Sequence, residues 1–377
     1  MSSFTRGSQI FLHSISMMGQ GIKAVLAFNI KDPCIIFEIE RRNWYIYLKK
    51  NKEVGMGSFF ELGVREHLGS ENQLVKLSKI INWNKLSVEV GNVHKENGPR
   101  GYDPVKMFKA ILLGQWHSLS DPGLERSLRV RLDFLQFTGF SLGDHLPDET
   151  TFCRFRNKLI KQGKLDFLLS EINKQLEEAG LKVKSADTAI VDATIIKSNA
   201  RPKKTLEQQE DGNYETKLSA DVDAKWLKKG KKSYFGYQGF IRVDKEGFVN
   251  KAHVTPANLP ETKELDKMSD GLLPGTRLMT DKGFASKENR EILRSKKLKT
   301  GLMYKASKNH GLKEKQSLFN KLVSKVRWRV EQCFGTMKRI FGMERASYFT
   351  TEKVDGQFKM KAMCLNLLKA INKVEFA

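Results

Sequence analysis

Residues 188–196 read "TAIVDATII". The run is short, β-branched and apolar at successive positions, which marks a central strand buried on both faces. One residue breaks the pattern. Asp192 puts a carboxylate mid-strand, where burial is costly unless something satisfies the charge.

The chain beyond this run keeps the texture of a sheet. "GYQGFIRVD" (236–244) and "GFVNKAHVTP" (247–256) read as a hairpin closed at Gly247. "PETKELDKMSDGLL" (260–273) reads as a helix, "TRLMTDKGFA" (276–285) as a strand with its exit loop, "SKENREILRSKKL" (286–298) as a helix and "KTGLMYKA" (299–306) as a strand. Long helices over about 317–341 and 355–373 close the chain. Three strands, then helices alternating with strands, predict a mixed α/β sheet with helices packed on it. Residues 199–235 are polar and lysine-rich, with a weakly ordered pattern.

Upstream, from 72 to 180, the period is helical. "DPVKMFKAILLGQW" (103–116) sets Asp103 as a cap before Pro104, and "SDPGLERSLRVRLDFLQF" (120–137) repeats the device with Ser120 or Asp121 before Pro122. "PDETTFCRFRNKLIKQG" (147–163) takes Asp148 as cap and Gly163 as stop, and "KLDFLLSEINKQLEEAG" (164–180) ends at Gly180. Short helices on tight turns, one bearing Arg154, Arg156 and Lys158, suit a helix-turn-helix-like arrangement that grips phosphates. A plain helical bundle with a solvated charged face fits the same residues. Residues 1–55 mix apolar patches with "RRNWYIYLKKNK" and keep no sustained period, which raises Met56 as a possible translation start.

The charge balance narrows the partner. Lys and Arg number 66 against 43 acidic residues, a formal charge of +23 over 377 residues. Such an excess repels itself unless a polyanion neutralises it, which points to nucleic acid or, second, an anionic membrane surface. Cys34, Cys153, Cys333 and Cys364 lie far apart with no CxxC pair, which argues against a disulfide framework and for a reducing cytoplasm. The uncharged run at 7–22 is too short and polar to span a bilayer, so a soluble protein is expected.

Three carboxylates stand out. Asp192 is mid-strand. Asp281 ends a strand, where side chains of an α/β sheet point into the ligand crevice. Glu331 lies in "KVRWRVEQCFGTMKRIFGM" (325–343), on a helix crowded with Arg and Lys. With Arg327 at zero on the wheel, Glu331 falls near 40° and Lys338 near about 20°. Glu331 is thus at the edge of an apolar arc that includes Val323, Val330, Cys333 and Phe334. A surface Arg–Glu pair is the plain reading of that helix. If the three converge, their hard oxygens suit Mg²⁺ or Mn²⁺. Two such ions about 4 Å apart serve phosphoryl transfer.

"IVDATII" (190–196), "DVDAKWLKKGKKSYFGYQGF" (221–240), "VTPANLPET" (254–262), "LMTDKGFASKENR" (278–290) and "VRWRVEQCFGTMKRIFGM" (326–343) together resemble bacterial DDE transposases of the insertion-sequence family five type. "LPDETTFCRFRNKL" (146–159) resembles that family's N-terminal helical domain. The resemblance runs from about residue 60 to the end. It implies a ribonuclease H-like catalytic domain over 186–377 with a basic insertion at 199–235, a helical DNA-binding domain over 56–180, and an unassigned extension at 1–55. It implies Asp192, Asp281 and Glu331 as the metal triad for two Mg²⁺ or Mn²⁺ ions. Arg327 and Lys338 match the family's C-terminal signature and are implied as phosphate contacts, whereas Ser324 stands at its tyrosine position. Phe284 replaces the usual tyrosine after "DKG". Lys228, Lys229, Lys231 and Lys232, beside Trp226, Tyr234 and Phe235, become candidate DNA contacts, although a solvated loop explains them as well.

The implied activity is binding of the element's terminal inverted repeats, hydrolysis of a phosphodiester at each end, and joining of the 3′-hydroxyls to target DNA. Two ends bound at once imply at least a dimer, working on double-stranded DNA at the bacterial nucleoid and on no membrane. A catalytically inactive DNA-binding relic and a nuclease acting on RNA or hybrid duplexes are the competing expectations.

Overall fold

The run at 188–196 is a strand, β1 (Thr188–Lys197). The computed structural model describes residues 10–18, 21–28, 37–38, 47–48, 59–91, 101–183, 187–202, 205–208, 214–217, 219–306 and 310–374. They fall into two units, Met1–Gly63 and Val64–Ala377. The first carries two antiparallel ribbons, Ile10–Met18 with Gly21–Phe28 and Phe37–Glu38 with Tyr47–Leu48. Met56 lies outside the described residues.

In the second unit β1 is the centre of a six-stranded sheet. β2 (Lys225–Lys229) pairs with the start of β3 (Lys232–Asp244), and β3 runs antiparallel to both β1 and β4 (Val249–Pro256). On the other side β5 (Arg277–Thr280) and β6 (Lys299–Leu302) run parallel to β1 and to each other. The order β4-β3-β1-β5-β6, antiparallel on one side and parallel on the other, is the mixed ribonuclease H-like sheet that the resemblance implies.

Both faces of β1 are covered, as its apolar run requires. Ile190 and Ile196 join Tyr237, Ile241 and Val243 in the larger core; Ala189 and Val191 join Phe240, Leu278 and Phe284 in a smaller one. By the same alternation Asp192 falls on the larger-core side. The parallel pair β5–β6 leaves no room at Gly301, where an added methyl would stand 2.6 Å from Leu278 O and 2.9 Å from Met279 Cα. Gly301→Ala is therefore expected to cost about 1–3 kcal/mol of stability, read as a lower urea midpoint.

Helices α1 (Gln73–Ile80), α2 (Ser87–Gly91), α3 (Pro104–Trp116), α4 (Asp121–Val130), α5 (Leu132–Thr138), α6 (Glu149–Lys161) and α7 (Lys164–Glu178) precede the sheet. The expected caps form. Asp103 accepts from the Val105 and Lys106 amides, Ser120 from Gly123, and Asp148 from Thr151. Beyond the hairpin come α8 (Leu265–Ser269), α9 (Lys287–Ser295), α10 (Glu314–Arg339) and α11 (Thr351–Lys373). The α11 side chains Phe358, Met363 and Leu367 share one core with Phe108, Leu168 and Ile172 of the helical region and with the sheet. Among the described residues no helix is long and apolar enough to cross a membrane.

Two expectations need correction. Arg156 does not stand on an exposed face. It is 4% exposed, donates to both Asp121 oxygens at 2.6 and 2.8 Å, and lies 4.3 Å from the Tyr348 ring centroid. A guanidinium so buried and so paired is not presented to a phosphate; Arg154 alone of the pair is exposed. Nor is 199–235 weakly ordered throughout. The β2–β3 ribbon occupies its last part, closed by Gly230 at φ +61. Apolar cross-strand pairs hold it, Trp226 with Phe235 and Leu227 with Tyr234. Lys228, Lys229, Lys231 and Lys232 are exposed around its tip.

Candidate metal centre

Sheet register brings two of the three carboxylates together. Met279 lies beside Ile190 in the parallel β5–β1 pair. Continued by two residues, that register sets Asp281 level with Asp192, one strand spacing away and on the same face. Asp281 leaves β5 and caps a single 3-10 turn, Lys282–Phe284, by accepting from the Gly283 amide at 2.8 Å. Phe284, the aromatic after "DKG", is fully buried against Phe240 and is a core residue.

Asp192 accepts from Arg327 Nη2 at 2.7 Å and from the Ala193 amide at 2.9 Å. Both side chains of the ion pair are 13% exposed. Burial raises the Asp192 pKa above the ordinary carboxylate range, Arg327 pulls it back, and the nearby Asp281 pushes it up further. Arg327 Nε is buried without a partner.

Glu331 sits one helical turn after Arg327 and is exposed. It keeps the Arg327 side of the helix, and its side chain is open to solvent where that of Arg327 is largely buried against Asp192. Among the described residues no three His, Cys, Asp or Glu side chains are gathered closely enough to hold a metal ion. The structure thus brings together Asp192, Asp281 and Arg327, and leaves Glu331 at the rim. Lys338 is partly buried on the same helix. Burial lowers its pKa, Glu344 opposes this, and Lys197 and Lys229 lower it further, so three lysine ammonium groups share one neighbourhood.

A fourth carboxylate was not singled out in the sequence. Glu261 opens the 3-10 turn Glu261–Glu264 after Pro260. Burial raises its pKa, and Asp281 and Asp192 add to the rise, against Lys229 and Arg327. The available signal was position: like Asp281, Glu261 follows closely on the end of a strand.

Comparison with known proteins bears on this geometry. A family model described as a transposase DDE domain matches residues 184–367, and a second, a transposase domain (DUF772), matches 63–158. The transposase for insertion sequence element IS1106 of Neisseria meningitidis serogroup B is 45% identical over 226 residues, which span 59% of this chain and 78% of that protein. The chain belongs to the DDE transposases of bacterial insertion sequences. Members of this family are DNA-cleaving enzymes. In this transposase the matched DDE region contains β1, β5 and α10, and hence Asp192, Asp281, Arg327 and Glu331. Two solved structures align more weakly. A piggyBac transposase synaptic complex with hairpin DNA covers 78% of this chain and 72% of its own at 13% identity and a TM-score of 0.39. The Mos1 mariner paired end complex with Mn covers 71% and 87% at 12% identity and a TM-score of 0.19.

Proposed function

We propose that this transposase, of the insertion-sequence family five type, binds the terminal inverted repeats of its element as at least a dimer. It cleaves a phosphodiester at each end and joins the 3′-hydroxyls to target DNA. The observation that carries the reading is the pairing of a buried mid-strand Asp192 with Asp281. Asp281 raises the cost of ionising Asp192, and the two carboxylates side by side form a hard-oxygen donor set suited to a divalent cation. Asp192 and Asp281 would hold such ions, two Mg²⁺ or Mn²⁺ in the full centre, with Glu331 completing the set on rotation of its side chain or shift of α10. Bound there, the ions supply Lewis-acid stabilisation of the reacting phosphate and a more acidic water.

The chain's own cations do the positioning. Arg327 neutralises Asp192 and stands ready to exchange that contact for a phosphate. Lys338, with Lys197 and Lys229, offers a second phosphate place. The exposed lysines of the β2–β3 tip and Trp226, 56% exposed, suit a DNA backbone and an unpaired base. The helical domain of 56–180, with Arg154 exposed, is assigned to DNA as well.

The test is a joined cleavage and strand-transfer assay on DNA bearing the repeats that flank the gene. Mg²⁺-dependent nicks at the repeat ends, followed by joined products, are expected. Tight end binding with no nick in Mg²⁺ or Mn²⁺ would refute the reading. A separate expectation concerns the ribbon tip. Replacing Lys228, Lys229, Lys231 and Lys232 together by alanine should weaken binding to all sequences alike. The slope of log affinity against log salt should flatten by nearly one for each phosphate that the tip no longer neutralises. Fluorescence anisotropy between about 50 and 200 mM salt reads this directly.

A further inference from the structure

Glu261 is held against Asp281 by three separate devices. Its Oε1 accepts from Gln238 Nε2 at 3.3 Å. Gln238 is 4% exposed, and the oxygen of the same amide group has no donor. Its Oε2 lies over the Asp281–Gly283 turn, close to the Cα of Gly283. A methyl at Gly283 would collide with Oε2 and stand 3.0 Å from Asp281 Oδ1. The two carboxylates therefore flank one backbone position. Finally, Asn289 Nδ2 donates to Thr262 O at 3.0 Å and to Phe284 O at 2.8 Å, clamping the turn that bears Glu261 to the turn that bears Asp281.

This arrangement is poor as pure architecture. Glu261 is half-buried and makes no ion pair among the described residues. A neutral glutamine at this position would accept from Gln238 equally well and would avoid the repulsion from Asp281 and Asp192. The fold instead sets a third carboxyl group beside two others, while Arg327 is paired to Asp192. Oxygen donors kept close in spite of their repulsion are the arrangement a hard divalent cation stabilises.

We propose that Glu261 is a further cation-binding carboxylate of this centre, holding a divalent ion jointly with Asp281. The proposal rests on the reading of Asp192 and Asp281 as metal ligands and adds a ligand from the turn after β4. Glu261 approaches from the β4 side, while Glu331 approaches along α10, so the two would serve different ions or different stages of one reaction.

Mn²⁺ binding to the full chain tests it without reference to activity. Glu261→Gln should lower Mn²⁺ affinity at least tenfold by calorimetric titration, with metal-free thermal unfolding unchanged or raised, since a repulsion is removed. Glu261→Cys provides a second route through the cleavage assay. A thiolate ligand favours softer ions, so cleavage in Mg²⁺ should fall while Mn²⁺ or Cd²⁺ restores part of it. If Glu261→Gln titrates as the unaltered chain does while Asp281→Asn loses Mn²⁺, Glu261 is no ligand and the reading of the centre stands. If Asp281→Asn also titrates unchanged, the centre itself is wrong and the proposal falls with it. Cleavage by Glu261→Cys with an unaltered preference for Mg²⁺ would likewise overturn the proposal.

Discussion

Asp281→Asn should abolish DNA cleavage, by at least about a thousandfold, and leave binding to terminal-repeat DNA almost unchanged. A thousandfold is about 4 kcal/mol of barrier, the scale of charge stabilisation that a bound cation supplies. Asparagine is the informative substitution because it separates charge from structure. Its side-chain oxygen still accepts from the Gly283 amide, which Asp281 does at 2.8 Å, so the turn after β5 persists. What disappears is the negative charge level with Asp192. Asp192→Asn should act alike on cleavage, with an added cost to stability, because Arg327 would lose its 2.7 Å partner in a largely buried place. Single-turnover cleavage measured beside anisotropy on the same DNA separates the two effects. Cleavage at the unaltered rate in either variant would remove that residue from the metal centre.

Arg156→Ala should be among the most destabilising substitutions in the helical region, by about 3–5 kcal/mol, the usual cost of breaking a buried ion pair from one side. The guanidinium is spent on both oxygens of Asp121 and on the Tyr348 ring, so its removal leaves a carboxylate short of its partner and a gap beside an aromatic. Arg156→Lys should recover only part of the loss, since an ammonium cannot reproduce the two-point contact. Urea unfolding gives the stability, and anisotropy corrected for the folded fraction gives DNA affinity, which should not change. A stable variant that bound DNA poorly would return Arg156 to the surface role its sequence suggested.

The contrast between Arg154 and Arg156 shows what a sequence conveys. Helix periods and caps are local, and Asp103, Ser120 and Asp148 were readable because each acts within three residues. The central strand was readable because a β-branched apolar run admits few environments. Arg156 was misread because its partners, Asp121 and Tyr348, come from distant parts of the chain. The β2–β3 ribbon was hidden by its lysines, which mask the pairing of Trp226 with Phe235. The adjacency of Asp192 and Asp281 was readable through strand position, since the β1–β5 register sets them level. Glu331 lies on the Arg327 side of its helix, as the wheel has it, but the wheel fixes no distance to the sheet, and Glu331 is exposed. Glu261 lacked even a periodic context, because its place is set by a turn and by Gly283.

The central claim is that Asp192, Asp281 and Glu331 together hold divalent ions at a DNA end. Anomalous scattering from Mn²⁺ in crystals of the full chain bound to its terminal-repeat DNA measures it most directly. The account predicts a peak bridging Asp192 and Asp281, a second within reach of the same carboxylates, and Glu331 turned in to ligate. Well-ordered DNA in the site with no peak between Asp192 and Asp281, or peaks that Glu331 does not approach, would contradict it.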